Sequence, residues 1–421
     1  MNISLLYLLI ILLILGILYE FKKYNNHKKK TNLNSFISNN TNNQNSNISY
    51  QKCSHLKLQD NIKDVFTEND IIKYINDTTN SNSNNWDLYL PCGYNYVEGE
   101  LKNLNPKNKN QKIFAINGCD KIASKNNLWK ILRDYFGRER ASTIMPETYI
   151  ISDIKDMEVF KSNYKSNKLY LLKKNIQRKE GIIITSDYNE IMKKKDFKVI
   201  QEYVPNLYLI KNRKINVRLY LLIVCYNGET KGYLYNKGKC IYTNKDYNSS
   251  NSVSNNLNNS NNFNKLENTN NSDNTNSSGN TNNITISKEW KETHLTSVNL
   301  DMEIYKTHPE TLEQLEATVG FYKYNKLWIK LVSLFKNCMK AIDGNLCNLK
   351  KLDQNVTFQL FGADIIFNKD MHPFLLEFNK GPSMKYMTPT DTKMKKELTQ
   401  DIFSKVGVID KPLINKFIIL N

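Results

Sequence analysis

The sequence predicts a mixed α+β fold, because segments with strand patterns and segments with helical patterns alternate irregularly along the chain. Short apolar runs typical of strands lie within residues 168–235 and return at 357–378. Apolar residues recur at helical spacing over 309–342, and a shorter helix is expected near 126–136. Neither Gly-x-Gly-x-x-Gly nor Gly-x-x-x-x-Gly-Lys-Ser/Thr occurs, so a Rossmann or P-loop nucleotide site is not indicated.

The first element is an almost wholly apolar segment at residues 3–19. Its length is at the lower limit for a helix that spans a bilayer, which needs roughly 17–25 residues. Lysines follow it at Lys22, Lys23, Lys28, Lys29 and Lys30, and it lacks the basic region and cleavage site of a signal peptide. We therefore interpret residues 1–20 as a transmembrane or signal-anchor segment, with the remainder in the cytosol. A cleaved signal peptide and a mistaken gene start are the alternatives.

Two tracts rich in Asn, Ser and Thr cannot bury enough apolar surface to fold. We expect residues 21–50 to be a disordered tether and residues 248–285 to be a disordered insert within a folded domain. The tracts leave an N-terminal domain at 51–150, a central domain at 151–247 and a C-terminal domain at 286–415.

The formal net charge of +18 predicts attraction to a polyanion, such as nucleic acid, an anionic membrane or an acidic protein tail. The basic residues are spread along the chain without the aromatic-basic repeat of a nucleic-acid module, so we expect no nucleic-acid partner. The seven cysteines include no Cys-x-x-Cys pair, and their number is odd. This pattern favours reduced thiols over a zinc site or a disulfide framework.

Oxygen ligands stand in two otherwise apolar strands near the end of the chain. Asp364 lies on the first strand, and Glu377 and Asn379 lie two residues apart on the second, so these two share one face. Carboxylate and amide oxygens suit a hard cation such as Mg²⁺. The ordinary alternative is that Asp364 begins a turn and the other two residues end a strand. Apolar residues around every acidic position argue against it.

Cationic residues precede them on two further strands. Lys173 ends the apolar run at 169–172, from which its side chain can reach phosphate oxygens. Lys214, Asn216 and Arg218 alternate with apolar residues and therefore point to one face of a strand. Taken alone, these patterns are better explained by a solvated lysine and by an amphipathic surface strand.

These segments also carry a resemblance. Phe361-Gly362-x-Asp364, followed by Leu375-Leu376-Glu377-x-Asn379-x-x-Pro382-Ser383, resembles the end of the catalytic core of the tubulin–tyrosine ligase-like family. Members of this family are ATP-grasp enzymes that join an amino acid to a protein through an amide bond. The segment 212–220 resembles the family pattern Gly-Arg-Lys-Phe-Asp-Leu-Arg-x-Tyr. Other similar segments occur in family order at Trp86, Lys125, Pro146, Lys173 and His294-Leu295-Thr296, so the resemblance covers residues 86–385.

The resemblance implies an ATP-grasp fold with mixed sheets and an N-terminal α/β domain. It implies that Mg²⁺ is held by Asp364, Glu377 and Asn379, and that the catalytic residues are Lys214, Asn216 and Arg218. The backbone of residues 199–204 would run alongside the adenine ring of ATP. The residues expected to bind ATP are Lys125, Lys173, Gln201, Glu202, Tyr203, Lys214 and Thr296.

The chain departs from the family pattern mainly on the acceptor side of this site. Asn216 replaces an Asp, Ser297 replaces an Asn, and Ile241 stands near a family Arg that clamps a carboxylate or phosphate. Lys237 and Lys239 are the nearest cations that could compensate.

The resemblance implies an ATP-dependent carboxylate–amine ligase that adds Glu, Gly or Tyr to a protein through an acyl-phosphate. Its expected partners are a free amino acid and tubulin or another acidic protein tail, with microtubule association and a membrane anchor at residues 3–19. One alternative is a degenerate family member that binds tubulin or nucleotide without ligation. Another is a membrane-tethered basic scaffold for polyanions.

Overall fold

A large sheet and a small sheet organise the part of the chain that the structure describes. The computed structural model describes residues 48–53, 57–73, 85–175, 181–247, 292–296, 300–410 and 416–421. The expected anchor at 1–20, most of both Asn-rich tracts and Ser297 lie outside these residues. Within them, no helix combines the length and the apolar character that crossing a bilayer requires.

The strands follow in chain order, and the apolar runs within 168–235 and at 357–378 coincide with strands. They are β1 (Ser49–Gln51), β2 (Ile72–Lys73), β3 (Leu88–Tyr89), β4 (Lys112–Ile113), β5 (Thr148–Ile150), β6 (Tyr170–Lys173), β7 (Ile182–Thr185), β8 (Val199–Glu202), β9 (Leu209–Ile210), β10 (Arg213–Tyr226), β11 (Glu229–Tyr242), β12 (Thr357–Phe367), β13 (Pro373–Lys380) and β14 (Phe417–Ile419).

The α-helices whose bounds are described lie between these strands. They are α1 (Asp60–Glu68), α2 (Val97–Asn103), α3 (Cys119–Ala123), α4 (Lys125–Phe136), α5 (Arg138–Ser142), α6 (Ile154–Asn163), α7 (Tyr188–Lys193), α8 (Leu312–Val319), α9 (Phe321–Ile342) and α10 (Pro389–Lys405). Short 3₁₀ helices occupy Met302–Lys306 and Lys350–Leu352.

The large sheet is mixed, as the α+β prediction requires. Its strand order is β14-β11-β10-β12-β4-β3-β1-β2, with β13 paired to β12 and β9 paired to β10. The long strands β10 to β13 are antiparallel, whereas β1 to β4 are parallel. The small sheet has the order β5-β8-β6-β7 and is antiparallel. The domain boundaries expected at 150 and 247 stay predictions.

The helical pattern at 309–342 proves to be two helices rather than one. Gly320 separates α8 from α9 with a φ of +86°, a conformation that glycine adopts without steric cost. In α9, Leu327, Leu331 and Leu334 recur on one face and are buried. They pack in the core cluster that also contains Trp129 of α4. The shorter helix expected near 126–136 is confirmed as α4.

Side chains of β12 alternate between two cores. Phe361, Ala363 and Ile365 face the core formed with α4 and α9. Phe358 and Leu360 face the opposite core, which includes residues of α1 and α10. Asp364 follows the second alternation, so it lies on the same face of the sheet as Leu360.

The expectation of uniformly reduced thiols is wrong for four of the cysteines. Cys53 is bonded to Cys92 and Cys225 to Cys347, while Cys119, Cys240 and Cys338 are free and buried. The bonded residues are 39 and 122 positions apart, so tertiary folding brings them together. No local spacing motif predicts these pairs.

Candidate active site

A cleft between the small sheet and the large sheet contains most of the predicted site residues. The small sheet contributes Lys173 from β6 and Gln201 from β8, and the large sheet contributes Lys214, Asp364 and Glu377. The cleft encloses about 720 Å³ of space that no atom fills, part of it open to solvent.

Strand register assembles the acidic end of the cleft. Arg218 of β10 lies opposite Asp364 of β12, which in turn lies opposite Glu377 of β13. The Arg218 Nε and Nη2 atoms donate to Asp364 Oδ1 and Oδ2 at 2.5 and 2.9 Å. Asn379 Nδ2 donates to Asp364 Oδ2 at 3.3 Å, so the three predicted metal ligands lie side by side.

Glu377 is held in its ionised form. Burial alone would raise the pKa of its carboxyl group, but Lys125, Lys173 and Arg218 outweigh that effect and hold the pKa below its ordinary value. Lys125 Nζ lies 3.0 Å from Glu377 Oε2. A carboxylate, rather than a neutral acid, is therefore available as a ligand for a cation.

Lys173 lies on the opposite wall and is buried. Its Nζ donates to Gln201 Oε1 at 2.5 Å, and Gln201 Nε2 donates to Thr148 Oγ1 at 2.9 Å. Burial lowers the pKa of Lys173 to about 8, although the negative charge of Glu377 opposes the shift. Strand β6 thus places a poorly solvated ammonium group in the cleft. Its interaction with an anion that enters the cleft is electrostatically favourable.

The segment His294-Leu295-Thr296 closes the third side. Lys214 Nζ donates to the His294 carbonyl at 2.6 Å and lies 5.2 Å from the ring centroid of Tyr203. Asn216 Nδ2 donates to Thr296 Oγ1 at 3.2 Å. Asn216 Oδ1 is buried and has no hydrogen-bond partner among the described residues, so this part of the site offers an unused acceptor.

The predicted site residues therefore converge, and their individual roles stay predictions. Arg218 and Asn379 reach the cleft through their bonds to Asp364. Glu202 lies at the rim, where its carboxylate accepts from Lys168 at 2.7 Å. The predicted residues that line the cleft directly are Lys125, Lys173, Gln201, Glu202, Tyr203, Lys214, Asn216, Thr296, Asp364 and Glu377.

Sequence reasoning missed the apolar walls of the cleft. Leu171 stands two residues before Lys173, and Ile366 stands two residues after Asp364, so strand alternation could have found both. Leu376 and Ile182 also line the cleft. Apolar surfaces that face each other across a cleft suit a flat ring such as a purine.

The two lysines near Ile241 already have carboxylate partners. Ile241 lies opposite Asn216 in the register of β10 and β11, and Lys239 lies opposite Arg218. Lys239 Nζ is 3.1 Å from Asp391 Oδ1 and 3.6 Å from Glu310 Oε1. Lys237 Nζ is 3.0 Å from Glu397 Oε2, so neither lysine reaches the cleft with an uncompensated charge.

The donor set fits Mg²⁺. Two carboxylates and one amide lie on adjacent strands at the edge of a cleft whose other walls carry lysines, and oxygen is the ligand that Mg²⁺ prefers. No histidine or thiol accompanies them in the lining, which disfavours zinc at this position within the described residues.

Comparison with known proteins gives the arrangement its family. The model of the tubulin-tyrosine ligase family matches residues 102–415, which is more than half of the chain. The chain belongs to the tubulin-tyrosine ligase family. Its family match includes β12 and β13 and thus the strands that carry Asp364, Glu377 and Asn379.

Several curated relatives in this family modify tubulin, according to their names. Tubulin polyglutamylase ttll-4 of Caenorhabditis briggsae is 26% identical over 347 residues, covering 77% of this chain and 50% of the relative. Tubulin monoglutamylase TTLL4 of Mus musculus is 22% identical over 313 residues, covering 72% and 24%. Tubulin glycylase 3D of Tetrahymena thermophila is 26% identical over 227 residues, covering 52% and 19%. The chain thus spans half or less of the length of these relatives.

Proposed function

We propose that this protein is an ATP-dependent carboxylate–amine ligase that adds an amino acid to tubulin or to a similarly acidic protein. The observation that carries the proposal is the convergence of Asp364, Glu377 and Lys173 from three strands and two sheets on one cleft. Family membership supports the same reaction class. The fold alone would not support a reaction class, because function depends on the residues of the site.

The reaction requires two steps. An acceptor carboxylate attacks the γ-phosphate of ATP, giving an acyl-phosphate and ADP, and the amine of the incoming amino acid then displaces phosphate to form an amide. Lys173 and Lys214 would neutralise negative charge that develops on the transferred phosphoryl group. The apolar walls at Leu171 and Ile366 would limit water, which otherwise hydrolyses the acyl-phosphate.

Asp364, Glu377 and Asn379 would hold the Mg²⁺ ion, which would neutralise phosphate charge when bound. Arg218 keeps the Asp364 carboxylate oriented through two parallel hydrogen bonds. Lys125 does the same for Glu377 with a single contact. The side chains of the chain itself thus position the ligands before the ion arrives.

The names of the relatives and the charge of the chain support the choice of donor amino acid and acceptor. The names of the relatives favour Glu first and Gly second, and the name of the family keeps Tyr as a third donor. The net charge of +18 would steer an acidic tail toward the protein. We place the activity on cytosolic microtubules, and residues 3–19 stay a predicted membrane anchor.

The experiment is ATP-dependent incorporation of labelled Glu, Gly or Tyr into purified tubulin. We expect incorporation of one donor by the wild type and its loss in Glu377→Gln. Glu139→Gln, at an exposed position of α5, is the matched control and should retain activity. Incorporation that persists in Glu377→Gln would contradict the proposed metal site.

A second candidate function is a family member that binds nucleotide without ligation. The observation in its favour is that Ile241 lies opposite Asn216, whose buried Oδ1 has no hydrogen-bond partner among the described residues. Absence of incorporation together with a Mg²⁺-dependent thermal shift by ATP would favour this candidate. Salt-sensitive polyanion binding that ignores ATP and Mg²⁺ would instead favour a basic scaffold.

A further inference from the structure

A second cavity lies on the same face of the large sheet as Asp364. It contains about 630 Å³ of unfilled space, including its open mouth. Its walls are mostly apolar and come from α1, α10 and the strands between them, with Ile62, Leu90, Phe114, Leu360, Ile402 and Phe403 as the main surfaces. The polar side chains in its lining are Lys52, Gln59, Asn61 and Thr399, so apolar surface predominates.

Asn61 lines this cavity, and one of its polar atoms has no hydrogen-bond partner among the described residues. Asn61 is 2% exposed, and its Nδ2 donates to Thr399 Oγ1 at 2.7 Å. Thr399 Oγ1 donates in turn to the Lys395 carbonyl at 2.8 Å, so the orientation of the Asn61 amide is fixed by the network. Its Oδ1 is left without a hydrogen-bond donor among the described residues. A buried carbonyl of this kind is completed by a ligand or by water.

The cavity adjoins the proposed active site. Leu360 and Asp364 are four residues apart on β12 and point to the same face, which separates them by about 13 Å along the strand. Gly362 lies between them and is covered by Arg218 and Pro382. Pro382 also lines the cavity, so one residue that contacts Gly362 belongs to the cavity wall.

We propose that this cavity binds an aromatic side chain of the acceptor polypeptide, with Tyr or Trp preferred to Phe. The assignment rests on the proposed ligase function. The apolar walls bury the ring, and the hydroxyl or indole N–H donates to Asn61 Oδ1. An extended chain covers about 13 Å in roughly four residues, so the aromatic residue lies about that far from the modified carboxylate.

The first test measures binding without ATP. Fluorescent Glu-rich peptides that contain one Tyr, one Phe or one Ala at the same position are titrated with the full chain. We expect the Tyr peptide to bind roughly tenfold more tightly than the Ala peptide, with Phe between them. In Asn61→Ala, the Tyr peptide should lose its advantage over the Phe peptide.

Filling the cavity gives the matched comparison. Leu58 is half-buried and lines the cavity. Leu58→Trp places a bulky indole ring there and should abolish the preference for Tyr over Ala. Leu104→Trp enlarges a half-buried leucine that does not line the cavity and should leave the preference intact. Equal affinities of the Tyr and Ala peptides for the wild type would mean that water alone occupies the cavity, and this would overturn the assignment.

The second test separates this inference from the proposed function. After incubation with ATP, Mg²⁺ and the donor amino acid, mass spectrometry locates the modified Glu. We expect modification about four residues from the Tyr, and a spread of positions in the Ala peptide. Modification without any register to the Tyr overturns the cavity assignment. Tyr-dependent binding without modification overturns the ligase function, and only the binding of an aromatic side chain in the cavity then stands.

Discussion

Arg218 and Asp364 lie opposite each other on β10 and β12 and are joined by two parallel hydrogen bonds of 2.5 and 2.9 Å. Burial would lower the pKa of Arg218, but the charge of Asp364 outweighs that effect and raises the pKa above its ordinary value. A planar guanidinium group matches both oxygens of a carboxylate, so the pair fixes the orientation of Asp364 as well as its charge. The geometry of the proposed metal site therefore depends on the shape of the arginine side chain.

Arg218→Lys should separate charge from shape. Lysine keeps the positive charge but cannot make two parallel hydrogen bonds. We expect kcat for amino-acid transfer to fall about 10- to 100-fold, with a smaller change in the KM for ATP. Steady-state kinetics on tubulin provide the measurement, with Arg140→Lys on the exposed part of α5 as the control. Full activity in Arg218→Lys would show that charge alone suffices.

Lys173 should make nucleotide binding sensitive to pH. Its folded pKa is about 8, below the ordinary 10.5, because burial disfavours the ammonium form. Below pH 8 the group is protonated and attracts phosphate, so the affinity of the free protein for ATP should fall as pH rises through 8. Calorimetric titrations on both sides of that pH test this expectation. Lys173→Arg, which stays protonated, should keep its affinity at the higher pH.

Strand alternation made much of this site predictable. Lys214 and Asn216 line the cleft together because residues two apart share a face of β10, as the sequence indicated. The same rule would have found Leu171 and Ile366. It could not find the bond between Arg218 and Asp364, since the two residues are 146 positions apart and only the register of β10 and β12 brings them together.

Other features escaped the sequence for different physical reasons. The apolar spacing of α8 continues into α9, so periodicity alone did not reveal the break at Gly320, where φ is +86°. The partners of Lys239 were also hidden, because Asp391 lies on α10, far along the chain. Local patterns specify elements and faces, whereas tertiary packing decides which charges meet.

Lys405 should destabilise the folded protein at neutral pH. It is 6% exposed, and its Nζ lies 4.7 Å from the ring centroid of Tyr233. Burial, with a further contribution from Lys231, lowers its pKa to about 8 from 10.5. Lys405→Met keeps an unbranched apolar side chain and removes the buried charge, so we expect a higher free energy of unfolding at neutral pH.

The same substitution has a defined pH dependence. Between pH 8 and 10.5 the unfolded wild type retains the Lys405 proton that the folded wild type has lost, so wild-type stability rises with pH in that window. The advantage of Lys405→Met should therefore shrink as pH rises from 8 to 10.5. Urea unfolding at several pH values measures both curves, and Lys340→Met on the exposed face of α9 is the control. An advantage that does not change with pH would contradict this explanation.

Gly362→Ala should disturb the proposed active site through the residues that pack against Gly362. A Cβ atom at this position would lie 2.9 Å from both Arg218 Cδ and Pro382 Cβ, so either both side chains or the backbone at Gly362 must move. We expect a loss of about 1–3 kcal/mol in the free energy of unfolding. We also expect kcat for amino-acid transfer to fall, because Arg218 orients Asp364. Gly93→Ala, where a Cβ would meet nothing within 4 Å among the described residues, should change neither quantity. If Gly362→Ala loses stability but keeps full kcat, the orientation of Asp364 does not depend on an undisturbed Arg218, and this explanation is contradicted.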